Sequence, residues 1–519
     1  MSLSVWHVSR EYAGIADAGG VKDAVQGLAA ALARAGIKTS VVVPLYGYRR
    51  DAIPLPAPVC SFILQVPDQD AGFKMRSERV SVHSMEKDSV RIYLVDSPRF
   101  LDKRDVYTYT PEDQAENPYK RKGTGHWDFH QMNLTLVKAA LETAAAQGEE
   151  NAVFHCHDGH AAFLPAIMRE DPRYRRSFKA AGSVVTIHNA GIGYHQEIWN
   201  MEFASRVTGL PETVLSQGLL DGCVDPLLLA GRYAALTTVS EQYARELYEE
   251  KDSEVSGGFG RMLRERGVHL RGITNGVDPA PFDPRRTESS GLPFAFDPSS
   301  GDWNGKWKCR QKLFELLAPE RGPDRTLPLF GFIGRLTPQK GIDVLSGAIS
   351  ALFQRDADLA FVILGQGEAS AEERFKALAA SRHARGRMFF IPRFDSQLAK
   401  LIYAACDFLL IPSAFEPCGL TDYYAQLMGT IPVVHRVGGL YKVRDGETGF
   451  SYDEQTSVAL EAAVERCLKI SREDPAFLER VRRTAFGEIF TAHTWDIVAR
   501  RSYIPLYDSL VQAGSAGAS

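Results

Sequence analysis

The sequence predicts an α/β protein with two doubly wound, Rossmann-like domains that face a cleft. Short apolar runs alternate with helical windows, and most of these runs end at polar or glycine-rich segments, as strands of ligand-binding parallel sheets do. The alternation pauses in a segment rich in Pro, Ser and Gly and then starts again. A chain of 519 residues is also longer than a single domain usually is. We therefore expect domains at 1–285 and 286–494, followed by a helix and flexible tail at 495–519.

The first predicted domain opens with a strand over 4–8 and a loop that ends at Gly19 and Gly20. Paired glycines before a helix let the backbone approach a ligand closely, and the helix N-terminus favours an anion. Between residues 107 and 125 the pattern indicates a long loop. The further strands expected in this half cover residues 39–43, 90–95, 152–155, 184–187 and 236–239, with a last strand and turn over 271–278.

The strand predicted at 152–155 runs into the motif His155-Cys156-His157-Asp158-Gly159-His160, which contains three histidines. A metal site is not favoured, because no cysteine or carboxylate cluster with zinc spacing accompanies them. We expect the loop to present His160 to a ligand. His157 and Asp158 are expected to pair with each other as scaffold.

In the second half, the loop over 334–341 places Arg335 and Lys340 directly before a predicted helix. Two fixed cations beside a helix N-terminus can bind a diphosphate, although a pair of solvated surface charges is the alternative. The strands expected in this half cover residues 329–334, 359–365, 388–392, 408–412 and 431–435.

The stretch that follows the strand at 408–412 carries a lone carboxylate, Glu416, at a strand-loop-helix junction. Such junctions lie at the sheet edge where open α/β folds bind ligands, so Glu416 is a candidate anchor for a sugar or a nucleotide. Alternatively, Glu416 caps the helix and Cys418 is a small core residue. Gly438 and Gly439 add a second glycine pair at a strand end.

Together, these motifs resemble those of the bacterial and plant glycogen/starch synthase family, which are retaining glucosyltransferases with the GT-B fold. The matching segments keep the family's order over most of the chain; they are Gly19-Gly20, His157–Ala161, Thr186–Asn189, Thr238–Ser240, Tyr243–Glu246, Asn275–Asp278, Gly334–Gly341, Glu416–Thr421 and Gly438–Leu440.

The resemblance implies that glucose moves from a nucleotide sugar, ADP-glucose first of all, to the non-reducing end of an α-1,4-glucan. It places the acceptor on the first domain and the nucleotide sugar on the second, and it implies no metal or other cofactor. The catalytic residues it implies are Glu416, Lys340, Arg335 and His160. The donor-binding residues it implies are Gly19, Gly20, Asn275, Cys418, Gly419, Leu420, Thr421, Gly438 and Gly439.

The chain departs from the family pattern at Asp17 and Leu229, where lysines are usual, and in the loop after Asn189, which lacks a tyrosine-glutamine-glycine run. Either Lys22 turns to pair with Asp17 or the donor phosphate, or Asp17 faces a sugar hydroxyl. The position at which many proteins of this fold carry a second glutamate is Tyr424, which again resembles the synthases.

Composition restricts the partners and the location. A formal charge of −4 argues against a nucleic-acid or anionic-membrane partner, and the N-terminus lacks the pattern of a signal peptide. Seven scattered cysteines without a C-x-x-C pair are typical of a reducing cytoplasm. The oligomeric state stays open.

Three other functions remain possible. The first is a metal-dependent transferase that uses an Asp-x-Asp pair, at Asp68 and Asp70 or at Asp356 and Asp358, although solvated charge explains both pairs better. The second is a glucosyltransferase with a different acceptor or donor nucleotide. The third is a noncatalytic relative that binds a glycan or a nucleotide.

Overall fold

The computed structural model describes residues 3–516, apart from 69–71, 73, 250–252, 321, 323, 325 and 385. Contacts divide the chain into two compact units. Unit 1 contains Met1–Gly276 together with Trp495–Ser519, and unit 2 contains Val277–Thr494.

The elements of unit 1 follow the predicted alternation. Its strands are β1 (Ser4–Val8), β2 (Lys38–Pro44), β3 (Cys60–Asp68), β4 (Lys74–Lys87), β5 (Val90–Asp96), β6 (Val153–His157), β7 (Gly182–Ile187), β8 (Leu219–Leu220), β9 (Cys223–Val224), β10 (Ala235–Thr238) and β11 (Leu270–Gly272). Its helices before the crossing to unit 2 are α1 (Val21–Arg34), α2 (Gly47–Arg50), α3 (Pro98–Leu101), α4 (Pro111–Glu116), α5 (Phe129–Ala146), α6 (Leu164–Glu170), α7 (Met201–Thr208), α8 (Glu212–Leu215), α9 (Pro226–Ala230), α10 (Glu241–Tyr248), α11 (Ser253–Ser256) and α12 (Phe259–Glu265).

Among its described residues, unit 1 has one nine-stranded sheet in the order β11-β10-β7-β6-β1-β2-β5-β4-β3. The strands from β11 to β5 pair in parallel, whereas β3 and β4 form an antiparallel hairpin at the edge. The strand order reverses at β1, which lies between β6 and β2. The loops after β1 and β6 therefore lie where such sheets bind ligands.

Unit 2 is a smaller sheet covered by long helices. Its strands are β12 (Leu329–Ile333), β13 (Ala360–Leu364), β14 (Met388–Ile391), β15 (Phe408–Ile411), β16 (Ile431–His435) and β17 (Phe450–Tyr452). Its helices are α13 (Thr287–Ser290), α14 (Asn304–Leu317), α15 (Ile342–Gln354), α16 (Ala369–Ala380), α17 (Ser396–Ala405), α18 (Thr421–Leu427), α19 (Ser457–Glu473) and α20 (Pro475–Glu488).

The described strands of unit 2 form a parallel sheet in the order β14-β13-β12-β15-β16-β17. Counted from β12, this is the order 3-2-1-4-5-6 of a dinucleotide-binding sheet. Two separate clusters of buried apolar side chains cover its two faces, one under α15 and α19 and the other under α14 and α17. The predicted fold of doubly wound parallel sheets in two domains is confirmed.

The largest local difference from prediction lies between β2 and α5. Strands β3 and β4 form a long hairpin there, and α4 occupies part of the stretch expected to be a loop. The hairpin was hard to predict because β4 is largely exposed, so that polar residues interrupt its apolar alternation. Helix α4 is fixed by a capping box between Thr110 and Asp113.

The boundary between the units also differs from the predicted one after residue 285. The chain enters unit 2 at Val277, whose N–H donates to the carbonyl of His493 at 2.8 Å. The Val277 side chain is buried with Tyr423 and Phe486, which belong to unit 2. Residues 277–285 therefore belong to the second unit.

The C-terminal segment returns to unit 1 and does not form a separate element. It consists of α21 (Trp495–Val498), a π-helical turn and α22 (Ile504–Ala516); the last three residues lie outside the described part of the chain. Trp495 packs where Gly27 and Gly276 have no side chain, because a Cβ atom on Gly27 would lie 2.1 Å from Trp495 Nε1. Burying aromatic side chains contributes several kcal/mol to stability. The predicted flexible tail is thus helical as far as Ala516.

Two findings bear on redox state and membranes. None of the seven cysteines, all of which lie in the described part of the chain, forms a disulfide. Among the described helices, none combines the length and apolarity that a membrane span requires.

A layer of histidines lies inside unit 1, on one face of β1 and β6. His7 Nδ1 is hydrogen-bonded to His157 Nε2 at 3.1 Å, and His155 Nδ1 is hydrogen-bonded to the hydroxyl of Tyr507 on α22 at 2.7 Å. Burial lowers the pKa of His7 to about 3 and holds the pKa values of His155 and His157 well below their ordinary range. These imidazoles are therefore neutral at pH 7.

This layer predicts that the fold loses stability in mild acid. An unfolded histidine titrates near pH 6.5, so between about pH 3 and 6.5 the unfolded chain binds a proton that folded His7 does not. Stability should rise with pH in that window, and lowering the pH from 6.5 to 4.5 should remove about 2 kcal/mol for a single such histidine. Urea unfolding at both pH values measures the loss. His7→Asn, which keeps a group able to bond His157, should show a smaller loss; an identical pH slope would contradict the assignment.

Candidate active site

The loops after β12 and β15 meet at the point where the strand order of unit 2 reverses. β12 pairs in parallel with β15, so both strands end at the same sheet edge. The N–H of Ala414 donates to the carbonyl of Gln339 at 2.9 Å, and the Gln339 side chain donates to the carbonyl of Phe415 at 3.2 Å. Two segments more than seventy residues apart in sequence thereby form one site.

Lys340 and Glu416 form an ion pair at this edge. Lys340 Nζ lies 2.5 Å from Glu416 Oε2, which also accepts a hydrogen bond from the Ser413 hydroxyl at 3.0 Å. Glu416 is only 8% exposed, so the lysine offsets a charge that would otherwise be buried alone. The carboxylate is therefore held in one orientation rather than free to cap a helix.

Gly341 is essential to this arrangement. Its φ angle is +67°, and a Cβ atom there would lie 1.8 Å from the carbonyl oxygen of Pro412. The turn Pro338–Lys340 can therefore approach the end of β15 only if glycine follows it.

Arg335 and Lys340 lie in the same loop but differ in their surroundings. Arg335 is exposed and forms no ion pair with any described residue, whereas Lys340 is partly buried against Glu416. One cation is thus available to an incoming anion, and the other is shared with the carboxylate.

The segment after Glu416 is held by the turn that contains Gly438 and Gly439. The N–H of Gly439 donates to the carbonyl of Glu416 at 2.8 Å, and a Cβ atom on Gly439 would lie 2.0 Å from the Cys418 oxygen. Gly438 and Gly419 both have positive φ angles. Cys418 is buried; Leu420 precedes α18, and Thr421 is the first residue of that helix. The structure thus brings together the predicted donor-binding residues of unit 2.

In unit 1, His160 and Asn275 are both buried, and His160 lies in the loop after β6. The His160 ring stacks on that of Tyr107, with centroids 5.1 Å apart. Burial, assisted by the nearby charge of Arg10, holds the pKa of His160 well below its ordinary range. It can therefore act as a neutral hydrogen-bonding group.

The glycine loop contains a carboxylate that the motif analysis missed. Glu11 Oε2 accepts a hydrogen bond from the N–H of Gly19 at 2.6 Å, and the Tyr107 hydroxyl donates to Glu11 Oε1. Burial raises the pKa of Glu11 despite these bonds. Gly20 is the residue before α1 and is exposed. Glu11 lies three residues after the end of β1, and its position in a strand-end loop was the available signal.

Asp17 has a local partner. Its Oδ1 accepts a hydrogen bond from the N–H of Gly14 at 2.9 Å in an exposed turn, whereas Lys22 forms its ion pair with Asp23 at 2.7 Å. The alternative in which Lys22 pairs with Asp17 is therefore wrong, since Lys22 pairs with its neighbour on α1. Leu229, the other departure, is fully buried on α9.

The predicted pairing of His157 with Asp158 is also wrong. His157 Nδ1 is hydrogen-bonded to His188 Nε2 at 3.0 Å, and Asp158 accepts a bond from the N–H of His188 at 2.7 Å. Burial raises the pKa of Asp158 to about 7. The two side chains diverge because β6 ends at His157 and the chain turns at Asp158, where φ is +56°.

Two possible metal sites can be located. His7, His155 and His157 each offer a ligand atom within 4.8 Å of the others, but His155 and His157 already use both ring nitrogens in hydrogen bonds. Asp356 and Asp358 form ion pairs with Arg387 and Arg472. Of the other Asp-x-Asp pair, residue 70 lies outside the described residues.

Comparison with known proteins identifies the family. A model described as starch synthase catalytic domain matches residues 4–267, about half of the chain, and a model described as glycosyl transferases group 1 matches residues 315–484. The glycogen synthase of Exiguobacterium sibiricum is 30% identical over 97% of this chain and 98% of its own length. The chain belongs to the glycogen/starch synthase family. It is thus a glycosyltransferase, as its motifs indicated.

Further relatives agree over similar lengths. The glycogen synthase of Anaeromyxobacter dehalogenans is 31% identical over 98% of this chain and 99% of its own. The catalytic domain of starch synthase IV from Arabidopsis thaliana matches with a TM-score of 0.77 and 24% identity, covering 99% of this chain and all of its own. Like these neighbours, the synthase-family chain has the GT-B fold.

Tyr424 occupies the position at which many proteins of this fold carry a second glutamate. Its ring stacks on that of Phe282, with centroids 3.8 Å apart.

Removing the ammonium of Lys340 should reduce turnover. Lys340→Ala leaves the Glu416 carboxylate without its cation. It also removes a positive charge that would stabilise the negative charge of a leaving phosphate, so we expect kcat to fall about 10²-fold or more. Steady-state kinetics measures this. Lys376→Ala, which removes an exposed lysine on α16, is the matched control and should be silent. Near-normal turnover in Lys340→Ala would contradict the role.

Asp17 offers a second test. Because its carboxylate accepts the Gly14 bond, Asp17→Lys should lower glucosyl transfer by disturbing the turn, while Asp17→Asn, which keeps the acceptor atom, should stay within about twofold of the parent. Donor KM and kcat of both variants provide the comparison. A gain in donor affinity for Asp17→Lys would show instead that the carboxylate opposes the donor phosphates.

Proposed function

We propose that the protein transfers glucose from ADP-glucose to the non-reducing end of an α-1,4-glucan, with retention at the anomeric carbon. The observation that carries this proposal is the Lys340–Glu416 pair at the switch point of unit 2, in a chain similar to glycogen synthases over nearly its whole length. The starch synthase IV structure is described as bound to ADP and acarbose, which supports an adenine nucleotide donor and a glucan acceptor.

The chemistry assigns a role to each charge. The leaving nucleoside diphosphate accumulates negative charge, which Arg335 and Lys340 stabilise without a metal. Glu416, held by Lys340 and Ser413, contacts the donor glucose rather than forming a covalent adduct, since a carboxylate nucleophile needs a paired acid at fixed separation.

The family resemblance also gives roles to the other predicted residues of each unit. Neutral His160 and Asn275 bind sugar hydroxyls, and Gly19 and Gly20 approach the donor. The backbone groups of Cys418 to Thr421, with Gly438 and Gly439, bind the glucose and the phosphates.

The proposal includes location and partners. The protein acts in a reducing cytoplasm on a nucleotide sugar and an α-glucan, without a metal, a nucleic acid or a membrane. Unpaired cysteines and a formal charge of −4 support this part.

The test is incubation of the protein with ADP-glucose or UDP-glucose, with and without glycogen, in the presence of EDTA. We expect α-linked transfer from ADP-glucose to glycogen. Glu416→Gln should bind ADP normally but lose at least about 10²-fold in turnover. The substitution removes the charged partner of Lys340, and it removes the carboxylate that contacts the donor glucose. Binding of ADP without product would identify a noncatalytic relative. Transfer to a different acceptor, or from UDP-glucose alone, would support the related glucosyltransferase, and loss of activity in EDTA would support the metal-dependent one.

A further inference from the structure

A buried lysine lies behind the segment that follows Glu416. Lys442 ends the turn Gly438–Lys442, and its side chain is 8% exposed. Its Nζ donates to the carbonyl of Cys418 at 2.6 Å and to that of Gly419 at 2.7 Å, and it lies 3.1 Å from Asp422 Oδ1. The three N–H bonds of the ammonium thus have three oxygens around them.

These contacts determine which way two peptide groups face. In a trans peptide the N–H points opposite to the C=O, and the described chain contains no cis peptide bond. The carbonyls of Cys418 and Gly419 belong to the same peptide groups as the N–H of Gly419 and Leu420. Because both carbonyls turn toward Lys442, both N–H groups point away from it. Successive N–H groups that face one side bind anionic oxygens.

We propose that Lys442 is a positioning residue for the donor: it orients the N–H groups of Gly419 and Leu420 toward the donor without touching the donor itself. The proposal rests on the proposed function, in which these N–H groups bind the sugar nucleotide. The positive φ angle of Gly419, +70°, permits the two carbonyls to face the same side.

Asp422 completes the arrangement. It is fully buried, and burial raises its pKa to about 6 even though the charge of Lys442 opposes this shift. Each charge offsets the other, so that removing one would leave the other buried and unpaired. A single substitution at Lys442 therefore changes two things, and the experiment has to separate them.

Lys306 provides a matched control. It is also a buried lysine of unit 2, and it donates to the carbonyls of Ala404 and Met428 and to the Thr430 hydroxyl, at 2.8–3.1 Å. These groups lie just before β15 and β16, at the opposite end of those strands from Glu416. Lys306 therefore tests the loss of a buried lysine without disturbing the candidate site.

The variants are Lys442→Met, Lys442→Arg, the double variant Lys442→Met with Asp422→Asn, and Lys306→Met. We expect Lys442→Met to raise the KM for ADP-glucose at least tenfold and leave the KM for glycogen within twofold. Lys442→Arg should retain more donor affinity, since it keeps N–H donors. The double variant should recover thermal stability but not donor affinity. Lys306→Met should lower Tm while leaving the donor KM within twofold.

Three results would overturn the proposal. They are an unchanged donor KM in Lys442→Met, recovery of donor affinity in the double variant, and an equal rise in donor KM in Lys306→Met. If the parent protein transfers no glucose, the proposed function fails; calorimetric binding of ADP and UDP then still tests Lys442. Equal nucleotide affinity of the parent and the folded double variant would overturn the proposal, and a loss of at least tenfold would support it.

Discussion

The arrangement of unit 2 depends on the contact between Lys340 and Glu416. Each group is in the loop after a different strand, and the parallel pairing of Phe330 with Phe408 brings the two strand ends together. A buried carboxylate without a cation would be unfavourable by several kcal/mol, so the loops must stay together for the charges to be tolerated. The glycine at 341 and the hydrogen bonds of Gln339 make that approach possible.

The buried polar groups on β1 and β6 of unit 1 are neutral histidines, whereas the loops after β12 and β15 of unit 2 are joined by an ion pair. Strands β1 and β6 contribute histidines that stay uncharged because they are buried, and they bond to each other and to Tyr507. This layer connects the C-terminal helix to the centre of the sheet. Two contacts explain why the last segment of the chain belongs to the first unit. The Tyr507 hydroxyl is hydrogen-bonded to His155, and the Trp495 side chain fills the space at Gly27.

Carboxylates occupy hydrogen-bonding groups of the glycine loop that the family motif would leave for a ligand. The motif predicts a backbone that approaches a donor, yet the N–H of Gly19 already donates to Glu11, and Asp17 closes a turn with Gly14. A ligand that uses the Gly19 N–H would have to compete with a buried carboxylate. In unit 2, by contrast, Lys442 engages the backbone carbonyls of Cys418 and Gly419.

The sequence by itself determined the alternation of strands and helices, the two-domain α/β class and the family, because apolar periodicity and strand-end motifs are local features. Strands β1 and β16 begin and end where the pattern predicted. Only the tertiary structure decided which side chains pair. His7 meets His157 across 150 positions, Lys442 reaches carbonyls more than twenty residues earlier, and the C-terminal helix returns to unit 1. Such contacts depend on strand order and chain reversal, which local periodicity does not encode.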